Sequence, residues 1–434
     1  MSLTRYPDYK HSGVDWLGEI PSHWKIERFK NVLDLRKITV GDTKGDYTLL
    51  SLTLQGVIAR DMVNPKGKFP AEFDTYQVVE KDDLVFCLFD VEETPRAVGI
   101  SPCTGMVTGA YTVGRAKVGT SAQYLYNFYL SRDQHKAFKM YYTGLRNVIR
   151  SETFNAIPCP VPPIDEQIKI SNFLEKETAK IDTLVAQQEK LIELLKEKRQ
   201  VVISHAVTKG VNPTIKMKNS GVEWLGEVPE HWKILKIKRL SAVQRGASPR
   251  PIDDPKYFDD EGEYGWVRIS DVSSSNGVLR NTEQKLSVLG SSLSVKIEPK
   301  QLFISIAGTV GKPCITAIKA CIHDGFVYFP NLKINPWWMF RIFEAGVCYG
   351  GLGKLGTQLN LNTDTVGSIS IGVPPDQEIE SILNSIQITL EKFDGLISEA
   401  QKVIDLSLER RSSLISAAVT GQIDVRNYQS KEVA

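Results

Sequence analysis

The chain has 434 residues, 42% of them hydrophobic and 24% charged, and a formal net charge of +2. That length accommodates two or three domains, and that composition excludes a disordered chain. No apolar run approaches the roughly 20 residues that cross a bilayer, and nothing at the N-terminus resembles a signal peptide.

Six cysteines (Cys87, Cys103, Cys159, Cys314, Cys321, Cys348) are scattered without a CxxC pair, which fits buried free thiols in a reducing cytoplasm.

Taken in order, the first landmark is Ser12 to Ile26, SGVDWLGEIPSHWKI, which returns as SGVEWLGEVPEHWKI from Ser220 to Ile234. Twelve of the fifteen positions are identical, so the whole chain reads as a tandem duplication. Trp16, Trp24, Trp224 and Trp232 are the large apolar anchors of the repeat. They are expected to brace each globular region against the rest of the molecule. His23 and His231, each preceding a Trp, belong to the same packing rather than to a metal site.

Residues 27–160 mix strand and helix signals. Segments 46–54, 83–89 and 110–113 are expected strands from their aromatic and β-branched content, and 122–142 an expected helix with aromatics at helical spacing. Residues 165–209 contain no Gly or Pro and carry an apolar stripe: Leu174, Ile181, Leu195 and Val202, with Leu184, Val185, Leu191 and Ile192 between them. Asp165 is the expected N-cap and Gly210 the expected stop. At ~1.5 Å per residue such a helix is roughly 65 Å long and needs a partner to cover its seam.

The second half supplies that partner. VPPIDEQ (161–167) returns as VPPDQE (373–378), Ile181-Asp182 as Phe393-Asp394, Leu184 as Leu396, Leu191 as Val403, and Ala206-Val207-Thr208 as Ala418-Val419-Thr420. Leu414 extends the same stripe, Asp376 is the expected second cap and Gly421 the second stop. Between the helices, 265–269, 301–306 and 325–329 are expected strands, 336–345 a helix and 368–372 a last strand. Outside these landmarks the two globular regions hardly match. The expected division is 1–160, a helix at 161–210, 211–372, a second helix at 373–427, and a tail at 428–434. Two halves related by a pseudo-twofold axis would make the helices antiparallel, with the globular regions at opposite ends.

Catalytic patterns are missing. GTVGK (308–312) lacks the Gly and the Ser or Thr of a phosphate loop, and GGLGK (350–354) fails in the same way. Asn335-Pro336-Trp337-Trp338 lacks the second Pro of an amino-methyltransferase motif and suits a helix start. No GxSxG and no metal-ligand spacing occur.

What remains is surface chemistry. Expected loops of the first region carry Arg60, Lys66, Lys68, Arg96, Arg115, Arg146 and Arg150; those of the second carry Arg245, Arg250, Arg268, Arg280, Lys312, Lys354 and Gln358. Such side chains read base edges and hold phosphates. Any one of them taken alone is better read as a solvated surface charge, so the group carries more than its members.

The duplicated SGV(D/E)WLGE(I/V)PxHW segments, the two VPP helix starts and the lead-ins 144–163 and 356–375 resemble the specificity subunit of type I restriction-modification systems over essentially the full length. The resemblance implies an α+β chain: two α/β target recognition domains in tandem, separated by two long helices in an antiparallel coiled coil. It implies that each domain reads half of a split sequence in double-stranded DNA. Two methyltransferase subunits and, for cleavage, restriction/translocase subunits would be the partners. The chain itself would be non-catalytic and hold no cofactor; S-adenosylmethionine, ATP and Mg would belong to the partners. A coiled-coil scaffold whose globular ends bind proteins is the alternative. A duplicated α/β enzyme is a third reading, disfavoured by the missing site.

Overall fold

The computed structural model describes residues 4–41, 47–61, 73–94, 96–134, 136–350, 352 and 361–428. It divides into two units: residues 1–189 with 401–434, and residues 190–400. The division passes through both long helices. Each unit therefore holds one globular region, part of one long helix and part of the other.

The first unit opens with a hairpin, Tyr9–His11 against Glu19–Pro21, and Lys25–Arg28 then pairs antiparallel with Pro158–Val161. Between these partners lie two four-stranded sheets. One runs Gly56–Ala59, Thr48–Thr53, Gly105–Val107, Gln77–Val79; the other runs Leu33–Arg36, Thr112–Ala116, Leu84–Phe86, Val98–Ile100. Strands expected at 46–54, 83–89 and 110–113 are there, shorter or shifted by a few residues.

The helix expected over 122–142 ends at Gln134. Lys136 adopts φ +48° and Ala137 N–H bonds back to Arg132 O, which closes the last turn. The aromatic spacing continues past that stop because Phe138 folds back onto Tyr129, with ring centroids 4.5 Å apart.

The second unit repeats the frame residue for residue. Met217–Asn219 pairs with Glu227–Pro229, and Lys233–Lys236 with Ser370–Val373. Ile26 faces Pro160 in one unit and Ile234 faces Gly372 in the other, the same register. The inserts differ. Here a five-stranded sheet, Gln244–Arg245, Phe326–Tyr328, Leu302–Ser305, Pro313–Thr316, Val278–Leu279, lies with a four-stranded one, Gln284–Leu286, Tyr264–Val267, Ala320–Ile322, Val295–Ile297. Pro336–Ala345 is a helix, capped by Asn335 through a bond from Trp337 N–H at 2.9 Å. The 308–312 run is the turn of a hairpin between Leu302–Ser305 and Pro313–Thr316.

The long helices are Ile164–Lys209 and Asp376–Val419. Both begin directly after a Pro whose carbonyl takes the first helical bond, so Asp165 and Asp376 lie within the first turn rather than at the cap. Their carboxylates there complement the helix dipole. Gly210 and Gly421 end them with φ +71° and +75°, as expected of left-handed stops.

Within the first unit, Ile170 and Leu174 share a core with Ile415 and Ala418, and Asp182 pairs with Arg411 at 2.9 Å. Within the second, Ile203 and Ala206 share a core with Ile379, Ile382 and Ile386, and Arg199 lies 3.7 Å from Asp394. In both units the helix segments run antiparallel.

The buried stripe is not quite the expected one. Leu174, Ile181 and Leu195 are buried, and Val202, Phe393 and Leu414 are half-buried. Leu184, Leu191, Leu396 and Val403 are exposed. The stripe of the second helix follows Ile379, Ile382, Ile386, Leu390, then Ala400, Ile404 and Ser407. Leucines one position off this 3-4 spacing lie on its flank.

Candidate nucleic-acid interface

The repeated Trp segment supplies the base of each unit. Trp24 is fully buried, and its indole N–H donates to Glu166 Oε1 at 2.9 Å. His23 Nε2 bonds Glu166 Oε2 at 2.8 Å. Trp232 and His231 make the same bonds to Glu378, at 3.0 and 2.6 Å. Both glutamates sit three residues after a Pro in the first turn of a long helix, so this triad fastens each globular region to a helix start. Trp16 and Trp224 are half-buried around it; Arg132 lies 4.9 Å above the Trp16 ring. The two glutamates escaped the sequence reading, although their equivalent places in the repeated VPP segments were a visible signal.

Above this base, the expected basic residues are not alike. In the first unit Arg115 is committed to Glu80 and Asp83, each at 2.7 Å, and Arg36 joins the same carboxylates. The Arg115 and Arg36 guanidiniums hold the Glu80 carboxyl below its usual range. Arg96 donates to Tyr126 Oη at 3.1 Å. Arg60 is half-buried, and its main-chain N–H bonds Leu49 O. Arg146 is exposed, paired with Asp90 at 2.5 Å and 5.5 Å above the Phe89 ring. Arg150 is exposed at the start of the short helix Ser151–Ala156, its guanidinium without a partner among the described residues. The loop carrying Arg146 and Arg150 is tied to residues 88–90 by main-chain bonds. Lys66 and Lys68 lie outside the described residues.

In the second unit the arginines converge. Arg245 Nε donates to Asp324 O at 2.5 Å, and Arg250 pairs with the Asp324 carboxylate at 3.1 Å. Ser248 donates to the same carboxylate. Burial pushes the Asp324 carboxyl up, but these hydrogen bonds and the two arginines outweigh it and hold it below its ordinary value. Next to Asp324, His323 lines a cleft of about 690 Å³ with Trp266, Arg268 and Gln284. Arg268 pairs with Glu283. Arg280 is exposed and unpaired among the described residues, and Lys312 Nζ donates to Ser273 O at 2.8 Å. Lys354 and Gln358 lie outside the described residues. Trp266, Gln284 and His323 were missed by the sequence reading, because they are distant in the chain and none belongs to a motif.

Among the described residues no cluster of three His, Cys, Asp or Glu could hold a metal, and no helix is long and apolar enough to cross a membrane. All six cysteines are free, five of them buried.

No family model matches the chain. In sequence it is similar to the MjaVIII specificity subunit of a type I restriction enzyme from Methanocaldococcus jannaschii, with 24% identity over 66% of this chain and 66% of that protein. The match thus spans just under two thirds of that relative's length. In fold it matches a chain solved in work on complex assembly and conformational transition of the type I R-M system. The TM-score is 0.70 at 15% identity, covering 92% of this chain and 98% of the other. The HsdS subunit from Thermoanaerobacter tengcongensis matches with a TM-score of 0.53 at 13% identity, over 93% and 98% of the two chains. The chain therefore resembles type I specificity subunits in sequence and shares their α+β fold with two long helices.

Proposed function

We propose that this chain is the DNA sequence-specificity subunit of a type I restriction-modification complex, acting in the cytoplasm. Each unit reads one half of a bipartite target in double-stranded DNA. The paired helices hold the halves in register and, with the repeated base, recruit two methyltransferase subunits; restriction/translocase subunits join for cleavage. The chain is non-catalytic, and S-adenosylmethionine, ATP and Mg act in its partners.

The observation that carries this reading is one frame around two unlike inserts. The Trp–His–Glu base, the strand register and the helix stops recur in both units, whereas sheets, loops and basic side chains do not. A protein that performs one task on two different targets needs that division. A scaffold with two identical partners does not.

The test is an exchange of residues 27–160 for the same region of a relative, read by genome-wide mapping of methylated adenines. One half of the methylated sequence should change and the other should persist. If both halves change, or no bipartite sequence is methylated, the reading fails.

A further inference from the structure

We propose that the cleft of the second unit is where that unit reads a base edge, with Arg268 as the side chain that selects guanine. This rests on the DNA-reading function proposed above and names the site and the base.

The cleft is built on one face of the four-stranded sheet. Trp266 and Arg268 follow each other at a two-residue interval along and just past Tyr264–Val267, so they share a face. Gln284 is the cross-strand partner of Trp266, and Cys321 is its partner on the other side, which places His323 two residues on toward the same face. Trp266 is almost wholly buried, packs on Cys321 and Leu286, and with Ile252, Pro255 and Phe258 forms the apolar lining of the cleft, which Asp253 also borders. The polar atoms of Arg268, Gln284 and His323 thus rise from one rigid surface, a better platform for discrimination than a free loop.

Arg268 supplies donors, and Gln284 both a donor and an acceptor, beside the Asp253 carboxylate. His323 accepts a bond from Gly325 N–H at its Nδ1, 2.8 Å away, which leaves Nε2 as the protonated nitrogen of the neutral ring. Burial lowers the tendency of this ring to take a second proton. Arg268 is restrained by two carboxylates: Glu283 pairs with one terminal nitrogen, and Asp271 lies 3.9 Å from the buried Nε, which makes no hydrogen bond among the described residues. Each terminal nitrogen carries two N–H groups, so with one of them on Glu283 the end of the guanidinium still presents a planar pair of donors, and the acceptor pair that such a fork fits is N7 and O6 of guanine in the major groove. Arg245 and Arg250, anchored on Asp324 beside His323, add positive charge next to the cleft for the flanking phosphates.

The side chain can be changed without removing its local structural role. The turn after the strand is capped through the main-chain N–H of Arg268, which donates to Asp271 at 2.8 Å. The experiment uses the full chain assembled with its methyltransferase subunits, and duplexes randomised at each position of the mapped target. For Arg268→Ala, discrimination should fall by about 5- to 150-fold at one G·C pair of the second half-sequence, with the first half unchanged. Arg268→Gln should move the preference at that pair from guanine toward adenine.

Full retention of the second half-sequence by both variants, with melting as in the parent, overturns the assignment and leaves the DNA-reading function standing. Uniform weakening on all sequences also overturns it, by making Arg268 a phosphate contact. A parent assembly that selects no bipartite sequence at all overturns the function itself.

Discussion

Glu166 and Glu378 occupy equivalent places, yet their surroundings differ. Glu166 has a side chain 6% exposed and takes a third bond, from the Tyr6 hydroxyl at 2.6 Å. Glu378 is 24% exposed and, among the described residues, takes the bonds from His231 and Trp232 alone. The reason lies in how each unit is closed. In the second unit the chain runs on from the stop at Gly210 into the hairpin strand Met217–Asn219. In the first unit residues 4–9 and 421–428, far apart in sequence, meet at the equivalent place. Asp424 N–H bonds Thr4 O at 2.8 Å, and Tyr9 Oη donates to Gly421 O at 2.9 Å. Arg426 pairs with Asp424 and lies 4.9 Å above the Tyr6 ring. Burial, then the Glu166 carboxylate, pushes the Tyr6 phenol far above its ordinary range. Non-covalent contacts, one main-chain bridge and several side-chain bonds, join in one unit what the continuous peptide joins in the other, and Tyr6 covers the glutamate there.

The largest expected effect tests whether the two bases are equivalent. Trp24→Ala and Trp232→Ala should each cost about 3–5 kcal/mol, because both indoles are wholly buried. Denaturation followed by hydrogen exchange would place each loss in its own unit. A large loss for one and none for the other would break the equivalence.

Glu166→Ala should cost about 3 kcal/mol and Glu378→Ala about 1 kcal/mol, since the first strands two buried donors, the Tyr6 hydroxyl and the Trp24 indole N–H, and the second one. Equal losses would mean that the Tyr6 cover over Glu166 has no energetic weight.

Tyr6→Phe sharpens the same point. It removes one buried hydrogen bond and should destabilise the first unit by about 1 kcal/mol, with no change in exchange rates in the second. The smallest effect belongs to the helix pairs. Arg411→Ala in one unit and Arg199→Ala in the other remove pairs to Asp182 and Asp394 that are half exposed or more on the acid side. Each should cost less than about 1 kcal/mol, with the loss at Arg411 falling further in high salt. Arg199 also contacts Glu344, so its loss should be the larger of the two.

The sequence by itself determined the frame. Two near-identical Trp segments, two VPP starts, two glycine stops and an uninterrupted apolar stripe are local signals, and local physics reads them: no Pro or Gly breaks the helices, and glycine takes the left-handed stop. The phase of the stripe was less secure, because leucines such as Leu191 and Leu396 flank the seam and periodicity alone does not show which neighbour is covered.

Only the tertiary structure decided which charges are committed and which are offered. Arg115 looked like any loop arginine until strand pairing placed it beside Glu80 and Asp83. Trp266, Gln284 and His323 meet in one cleft only because pairing across the sheet brings three separate segments onto one face. Such contacts depend on register between distant segments, and a single chain read in order carries no term for that.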